Sequence, residues 1–180
     1  AIYSCSQKGL SCPPGASPIS FSKKALNKMR RRKKIAPNWY LDMSEIIKYW
    51  DGQQRVYHHT APINMMYALY QSLYDLLEEG LDNTIQRHYE AHLLLKKGLN
   101  DLGLELLVDK ESRLPSLNAV KIPDGVDDIE IRSKLLNDYS IEIGGGLGPF
   151  AGNVWRIGLM GYSAKPKNIS ILIDALREIL

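Results

Sequence analysis

Two long helical patterns in succession, followed by short strand- and helix-sized units after Gly103, constrain this chain more than its composition does. Ile63, Met66, Tyr67, Tyr70, Leu73, Tyr74 and Leu77 keep a three-and-four spacing, which predicts a helix over 61–79 that buries one face. Thr60 is placed to cap its N-terminus, Pro62 fits the first turn and Gly80 stands just past its end. Ile85, Tyr89, His92, Leu93, Leu95, Leu99 and Leu102 repeat the signature over 82–102. Beyond Gly103 the pattern predicts strands at 104–108, 116–122, 140–143 and 153–159, helices at 127–138 and 166–180, and a glycine loop at 144–149. That order points to an α+β unit with a partly antiparallel sheet.

The earlier part has a different character. Ala1-Ile2-Tyr3 reads as a short strand, running through polar residues into Cys12-Pro13-Pro14-Gly15, which continues neither a helix nor a central strand. Ser22 can cap a basic helix over 22–34, and a short helix over 44–50 is expected to stop at Asp51-Gly52, before a polar turn from Gln53 to Thr60. Residues 1–60 hold 11 Lys/Arg against 3 Asp/Glu, whereas residues 61–180 hold 12 against 17. Two charge regimes suggest two structural units, and the change of periodicity places their boundary near 90–103, giving 1–90 and 91–180 with the second long helix as bridge. The chain opens without methionine on a strand-like triplet, so we expect the C-terminal portion of something longer.

At 180 residues, 44% hydrophobic and 24% charged, the composition is that of a folded globular protein. No apolar run approaches the roughly 20 residues that cross a bilayer, and the first residues lack a secretory pattern, so no membrane association is expected. Cys5 and Cys12 alone provide neither a four-cysteine zinc site nor a bridged framework, which favours a reducing compartment.

Several residue groups carry chemistry, each with a plainer alternative. Lys8 has only small or uncharged polar neighbours in Ser4-Cys5-Ser6-Gln7; desolvation would lower its amine pKa as an imine-forming lysine requires, yet most lysines are solvated surface charges. The tract Arg55-Val56-Tyr57-His58-His59-Thr60 precedes a helix start and is suited to bind an anion such as phosphate, unless Thr60 merely caps the helix. His88 and His92 share a helix face at metal-ligand spacing but lack the glutamate of the metalloprotease motif, so no metal is expected. Gly144-Gly145-Gly146-Leu147-Gly148-Pro149 is either a turn needing positive φ or a place of close backbone approach. Arg156 lies in an otherwise apolar strand and needs an anionic partner, a protein carboxylate or a substrate one. The basic run Arg30-Arg31-Arg32-Lys33-Lys34 is read as a solvated face, since no aromatic interleaving points to nucleic acid.

Five blocks across nearly the whole chain add a further reading. Tyr3-Ser4-Cys5-Ser6-Gln7-Lys8 with Pro13-Pro14-Gly15, Tyr57-His58-His59-Thr60, Arg113-Leu114-Pro115, Ile141 to Gly148, and Trp155 to Gly161 resemble, in order, the C-terminal half of the alanine–glyoxylate (serine–pyruvate) aminotransferase family, class V pyridoxal-phosphate enzymes. The resemblance implies the aspartate-aminotransferase fold (fold type I): the end of a large α/β domain followed by a small α+β domain. It implies that Lys8 is the Schiff-base lysine and proton carrier, that Gln7 contacts the pyridoxal 5'-phosphate, and that Tyr57 and Thr60 reach its phosphate across a homodimer interface. Arg156 would grip the carboxylate of amino-acid and 2-oxo-acid substrates in a ping-pong transamination. Cys5 stands where many relatives have glycine. The family's earlier half, which supplies the phosphate loop, the ring-stacking aromatic and the aspartate on the pyridine nitrogen, would precede Lys8, so the isolated chain is expected to be incomplete as an enzyme and to need a companion half. Another class V transaminase, such as a 3-hydroxykynurenine one, and a non-catalytic dimerising protein are the alternatives. Localisation is expected to be cytoplasmic, or peroxisomal in a eukaryote.

Overall fold

A computed structural model describes residues 1–50, 54 and 56–180. The helix stop expected at Asp51-Gly52, and Gln53 and Arg55 of the expected turn, lie outside the described residues. The chain divides into two compact units: Ala1–Gln7 with Cys12–Gln71, and Lys8–Ser11 with Ser72–Leu180. The division falls inside a long helix at 71/72, whereas charge and periodicity place a boundary near residue 90.

In the first unit, β1 (Ile2–Tyr3) pairs antiparallel with β2 (Ile19–Ser20), a partner strand the sequence pattern does not announce. The intervening loop folds back on itself: Ser6 Oγ donates to the Pro13 carbonyl at 2.7 Å and Cys12 N to the Ser6 carbonyl at 3.1 Å. Ser22 Oγ accepts from Ala25 N and caps α1 (Lys23–Arg30), which stops at Arg30, so most of the basic run lies beyond it. α2 spans Met43–Trp50.

α3 (Ile63–Glu79) and α4 (Leu81–Asp101) are separated by Gly80, whose φ of 85° is a conformation glycine adopts without steric cost. The apolar stripe expected to be buried on α3 is not: all seven of its residues are exposed. The shielded positions of α3 are instead Met65, Ala68, Leu69, Ser72, Leu76 and Glu79, and among the described residues no element covers the stripe. On α4 the buried residues are Thr84, Ala91, His92, Leu95 and Leu99, so Ile85, Tyr89 and Leu93 of the expected stripe face outward. Gly103 ends α4 with the paired bonds of a Schellman motif, its N–H to the Asn100 carbonyl and that of Leu104 to Leu99.

The second unit has a three-stranded antiparallel sheet in the order β3 (Leu117–Lys121), β5 (Val154–Gly158), β4 (Gly144–Gly145). α5 (Asp128–Tyr139) is capped by Asp127, and α6 (Pro166–Ile179) begins with proline in its first turn. The expected strand at 104–108 reduces to one bridge, Leu106 to Val120. The strand expected at 140–143 does not form, because Ser140 takes a left-handed turn and Ile141 N closes α5 on the Leu135 carbonyl. The ladder starts only at Gly144, in the expected glycine loop. Trp155, Leu95, Leu99, Leu135, Ile169, Leu176 and Val120 fill the core between sheet and helices. α4 approaches α6 closely: a Cβ on Gly98 would lie 2.6 Å from Ile173 Cγ1. Among the described residues, no helix is long and apolar enough to cross a membrane.

Candidate active site

β5 carries the first element. In the ladder Arg156 stands opposite Gly144, and Trp155 opposite Gly145. Side chains alternate along a strand, so Trp155 enters the core while Arg156 takes the other face. Trp155 Nε1 donates to Asp128 Oδ1 at 3.1 Å, and Arg132 grips the same carboxylate through two nitrogens at 2.8 and 2.9 Å. The hydrogen bonds from Arg132, and secondarily from Trp155, hold the Asp128 carboxyl below the usual carboxylate range.

Arg156 Nε donates to the Gly145 carbonyl at 2.6 Å, and no carboxylate among the described residues lies within ion-pair distance of its guanidinium. The protein-carboxylate partner weighed for Arg156 is thus not present among them. A Cβ on Gly144 would come within 3.1 Å of Arg156 Nη2. The glycines are therefore a close-approach surface for an arginine, and their ladder pairing replaces the turn reading at Gly144 and Gly145.

The second element is the turn at Tyr57–Thr60. Tyr57 Oη and Thr60 Oγ1 lie 2.6 Å apart, and both residues are exposed. Thr60 does not cap α3: the helix begins at Ile63, and the Pro62 carbonyl accepts its first bond from Met66 N. His58 is buried, stacked on Trp39 at 4.0 Å between ring centroids, with Nε2 donating to the Trp39 carbonyl at 3.2 Å. Its Nδ1 pairs with His59 Nδ1 at 2.7 Å. The histidines thus lock the turn that presents the two hydroxyls.

The third element is the turn Lys8–Ser11 in the second unit, closed by Ser11 N donating to the Lys8 carbonyl at 2.9 Å. Lys8 and Gln7 are exposed, so the desolvation considered for Lys8 is not present in this chain, and Lys8 forms no ion pair among the described residues. Ser11 holds a positive φ of 59° and its Oγ accepts from Tyr162 N at 2.5 Å. On α4, Arg87 Nη1 donates to the Gly161 carbonyl at 2.8 Å and the Ala164 carbonyl at 3.1 Å, while its Nε and Nη2 clamp Glu79. The Arg87 hydrogen bond pulls the Glu79 carboxyl down from its ordinary 4.5 to about 2. His88 Nε2 accepts from Gly161 N at 2.9 Å and its Nδ1 donates to the Thr84 carbonyl at 2.7 Å. His92 Nδ1 meets Asn118 Oδ1 at 2.6 Å in the core. The two histidines at metal-ligand spacing therefore have separate polypeptide partners.

No protein-family model matches the chain. The alanine–glyoxylate aminotransferase of Callithrix jacchus is 46% identical over 182 residues, covering 99% of this chain and 44% of that protein. Among solved structures, the alanine–glyoxylate aminotransferase of Nostoc sp. is 53% identical with a TM-score of 0.94, covering 98% of this chain and 46% of that one. The ureidoglycine–glyoxylate aminotransferase of Bacillus subtilis is 35% identical with a TM-score of 0.95, covering 99% and 46%. This chain is a relative of the alanine–glyoxylate aminotransferases. Its fold is that of part of the fold type I aminotransferases, as the resemblance implies. It spans about half the length of the relatives it matches.

In this aminotransferase relative, the structure places Tyr57 with Thr60, and Arg156 with Gly144 and Gly145. Sequence reasoning assigns nothing to Ser11, Glu79 or Arg87. Nothing in their local pattern marks them, since the contacts joining Arg87 and Ser11 to residues 161–164 span 74 to 151 positions.

Proposed function

We propose that this chain is the C-terminal half of a pyridoxal-phosphate-dependent aminotransferase that exchanges an amino group between alanine and glyoxylate. The observation that carries the proposal is Arg156, a guanidinium held through Nε with no carboxylate partner among the described residues and with glycine backbone beneath it. Its terminal nitrogens suit the α-carboxylate shared by an amino acid and a 2-oxo acid, in a two-bond grip that lysine cannot supply. The names of the relatives favour glyoxylate as the amino acceptor.

The available groups match the cofactor's chemistry: an amine with no ion pair among the described residues for its aldehyde, and a hydroxyl pair for its phosphate. When bound, pyridoxal phosphate supplies the electron sink for the carbanion character that develops at the substrate α-carbon. Lys8 Nζ holds the cofactor and then carries the proton to and from that α-carbon. Tyr57 and Thr60 donate to the phosphate of a neighbouring subunit in a homodimer, and Gln7 to that of its own. Arg156 fixes the carboxylate, which orients the α-carbon toward the lysine and brings the entropic gain of a positioned reactant. In this arrangement residues 1–90 end the large cofactor-binding domain and 91–180 form the small domain.

The test is turnover by the complete native polypeptide supplied with pyridoxal phosphate, alanine and glyoxylate. Formation of pyruvate and glycine in equal amounts supports the proposal; no glycine from alanine, serine or 3-hydroxykynurenine donors overturns it.

A further inference from the structure

Residues 154–162 carry two things at once: Arg156 on β5 and, just beyond the strand, the backbone on which the Lys8 turn rests. The seat is close-packed. Gly161 has a φ of 55°, and a Cβ there would overlap the Ser11 hydroxyl and approach the Gly9 carbonyl to 3.2 Å. Ser11 Oγ in turn accepts from Tyr162 N. The Gly161 backbone is held on both polar sides by α4, its carbonyl by Arg87 and its N–H by His88. Glu79, at the end of α3, fixes the Arg87 fork from behind with two hydrogen bonds. All these residues belong to one compact unit.

We propose that Arg87 and His88 are positioning residues for Lys8, acting through Gly161 and Ser11: they fix the backbone against which the Lys8–Ser11 turn is docked and so set where the amine stands. The inference rests on Lys8 being the reacting amine of the proposed aminotransferase. The physical case is steric. Ser11 and a side chain at Gly161 compete for the same space, so any shift of the 161–162 backbone displaces the turn that carries Lys8. Displacement of a reacting group by about 1 Å can cost up to about 100-fold in rate. His88 bridges the two segments, with Nδ1–H on the Thr84 carbonyl and Nε2 accepting from Gly161 N. Arg87 makes four hydrogen bonds at once, to two carbonyls and to both oxygens of a carboxylate, more than the three donors of a lysine ammonium supply.

The test uses the complete native polypeptide and two readouts. In the cofactor-free protein, amide hydrogen exchange at Ser11 and Tyr162 reports whether the turn is docked. In the loaded enzyme, kcat and KM for alanine are measured on the same variants. G161A is expected to speed exchange at Ser11 and to lower kcat by about tenfold or more, with KM changed less than about threefold. In an S11G background, where the overlapping side chain is absent, G161A is expected to cost less than about threefold in kcat. R87K is expected to shift both readouts in the direction of G161A, and H88Q, which keeps an acceptor for Gly161 N, less than H88A. Unchanged exchange and kcat in G161A, or an equal cost with and without Ser11, would overturn the proposal. If the parent polypeptide has no transaminase turnover, the functional reading fails, while the exchange measurements still decide whether these residues hold the turn.

Discussion

Arg156 donates through Nε to the carbonyl of Gly145, one rung away across the β4–β5 ladder, and that bond turns an otherwise mobile side chain into a fixed receptor. Replacing it with glutamine should raise KM for both alanine and glyoxylate by about 100-fold or more, the effect of losing a charge-assisted carboxylate contact. R156K should fall between, since a point charge replaces the fork. Steady-state kinetics of the complete polypeptide decide the matter; unchanged KM values in R156Q would remove Arg156 from the substrate site.

Gly144 offers a finer test of the same site. A methyl group there would press on Arg156 Nη2 from 3.1 Å, and the tip of a flexible side chain can yield. G144A should therefore move the urea midpoint little, within about 0.5 kcal/mol, while raising KM by about tenfold through a misplaced guanidinium. A large stability loss with normal KM would show that the glycine serves the sheet rather than the arginine.

How much of this was legible in the sequence depends on the range of the interactions. Capping by Ser22, the breaks at Gly80 and Gly103 and the extents of α4 and α6 are local, and periodicity with capping chemistry predicts them closely. Burial on α3 is not local: Tyr67, Tyr70 and Leu77 form a regular apolar stripe, yet what covers a stripe depends on elements the pattern does not contain. β4 escapes notice because Gly144 and Gly145 have poor strand propensity and are chosen for the arginines lying over them. Arg156 is visible as a charge in an apolar strand, whereas Ser11 and Arg87 acquire meaning only when distant segments meet at Gly161.

Glu79 should give the fold a distinct acid response. Its carboxyl is depressed in the folded state to about 2 by Arg87, so its stabilising contribution is present above its ordinary value of 4.5 and is lost as pH falls from there toward 2. E79Q removes that response. Urea denaturation of both forms should show the parent more stable at pH 7 and the difference shrinking below about pH 4.5; an offset that stays constant with pH would mean the pair contributes packing and no linkage.

Gly98 governs the contact of α4 with α6, where Ile173 occupies the space a side chain would need. G98A should destabilise by about 1–3 kcal/mol, the usual cost of overpacking, and I173V or I173A in the same chain should recover part of it. A gain in stability from G98A, as expected for alanine in an unconstrained helix, would show that the helices part freely.

The proposed transamination depends on the amine of Lys8. The complete native polypeptide, incubated with pyridoxal phosphate, reduced with borohydride and digested, should yield a single phosphopyridoxyl-lysine in the peptide containing Tyr3 to Lys8, and K8A should yield none there. Labelling spread over surface lysines such as Lys23, Lys24 and Lys33, with Lys8 unmodified, would contradict it.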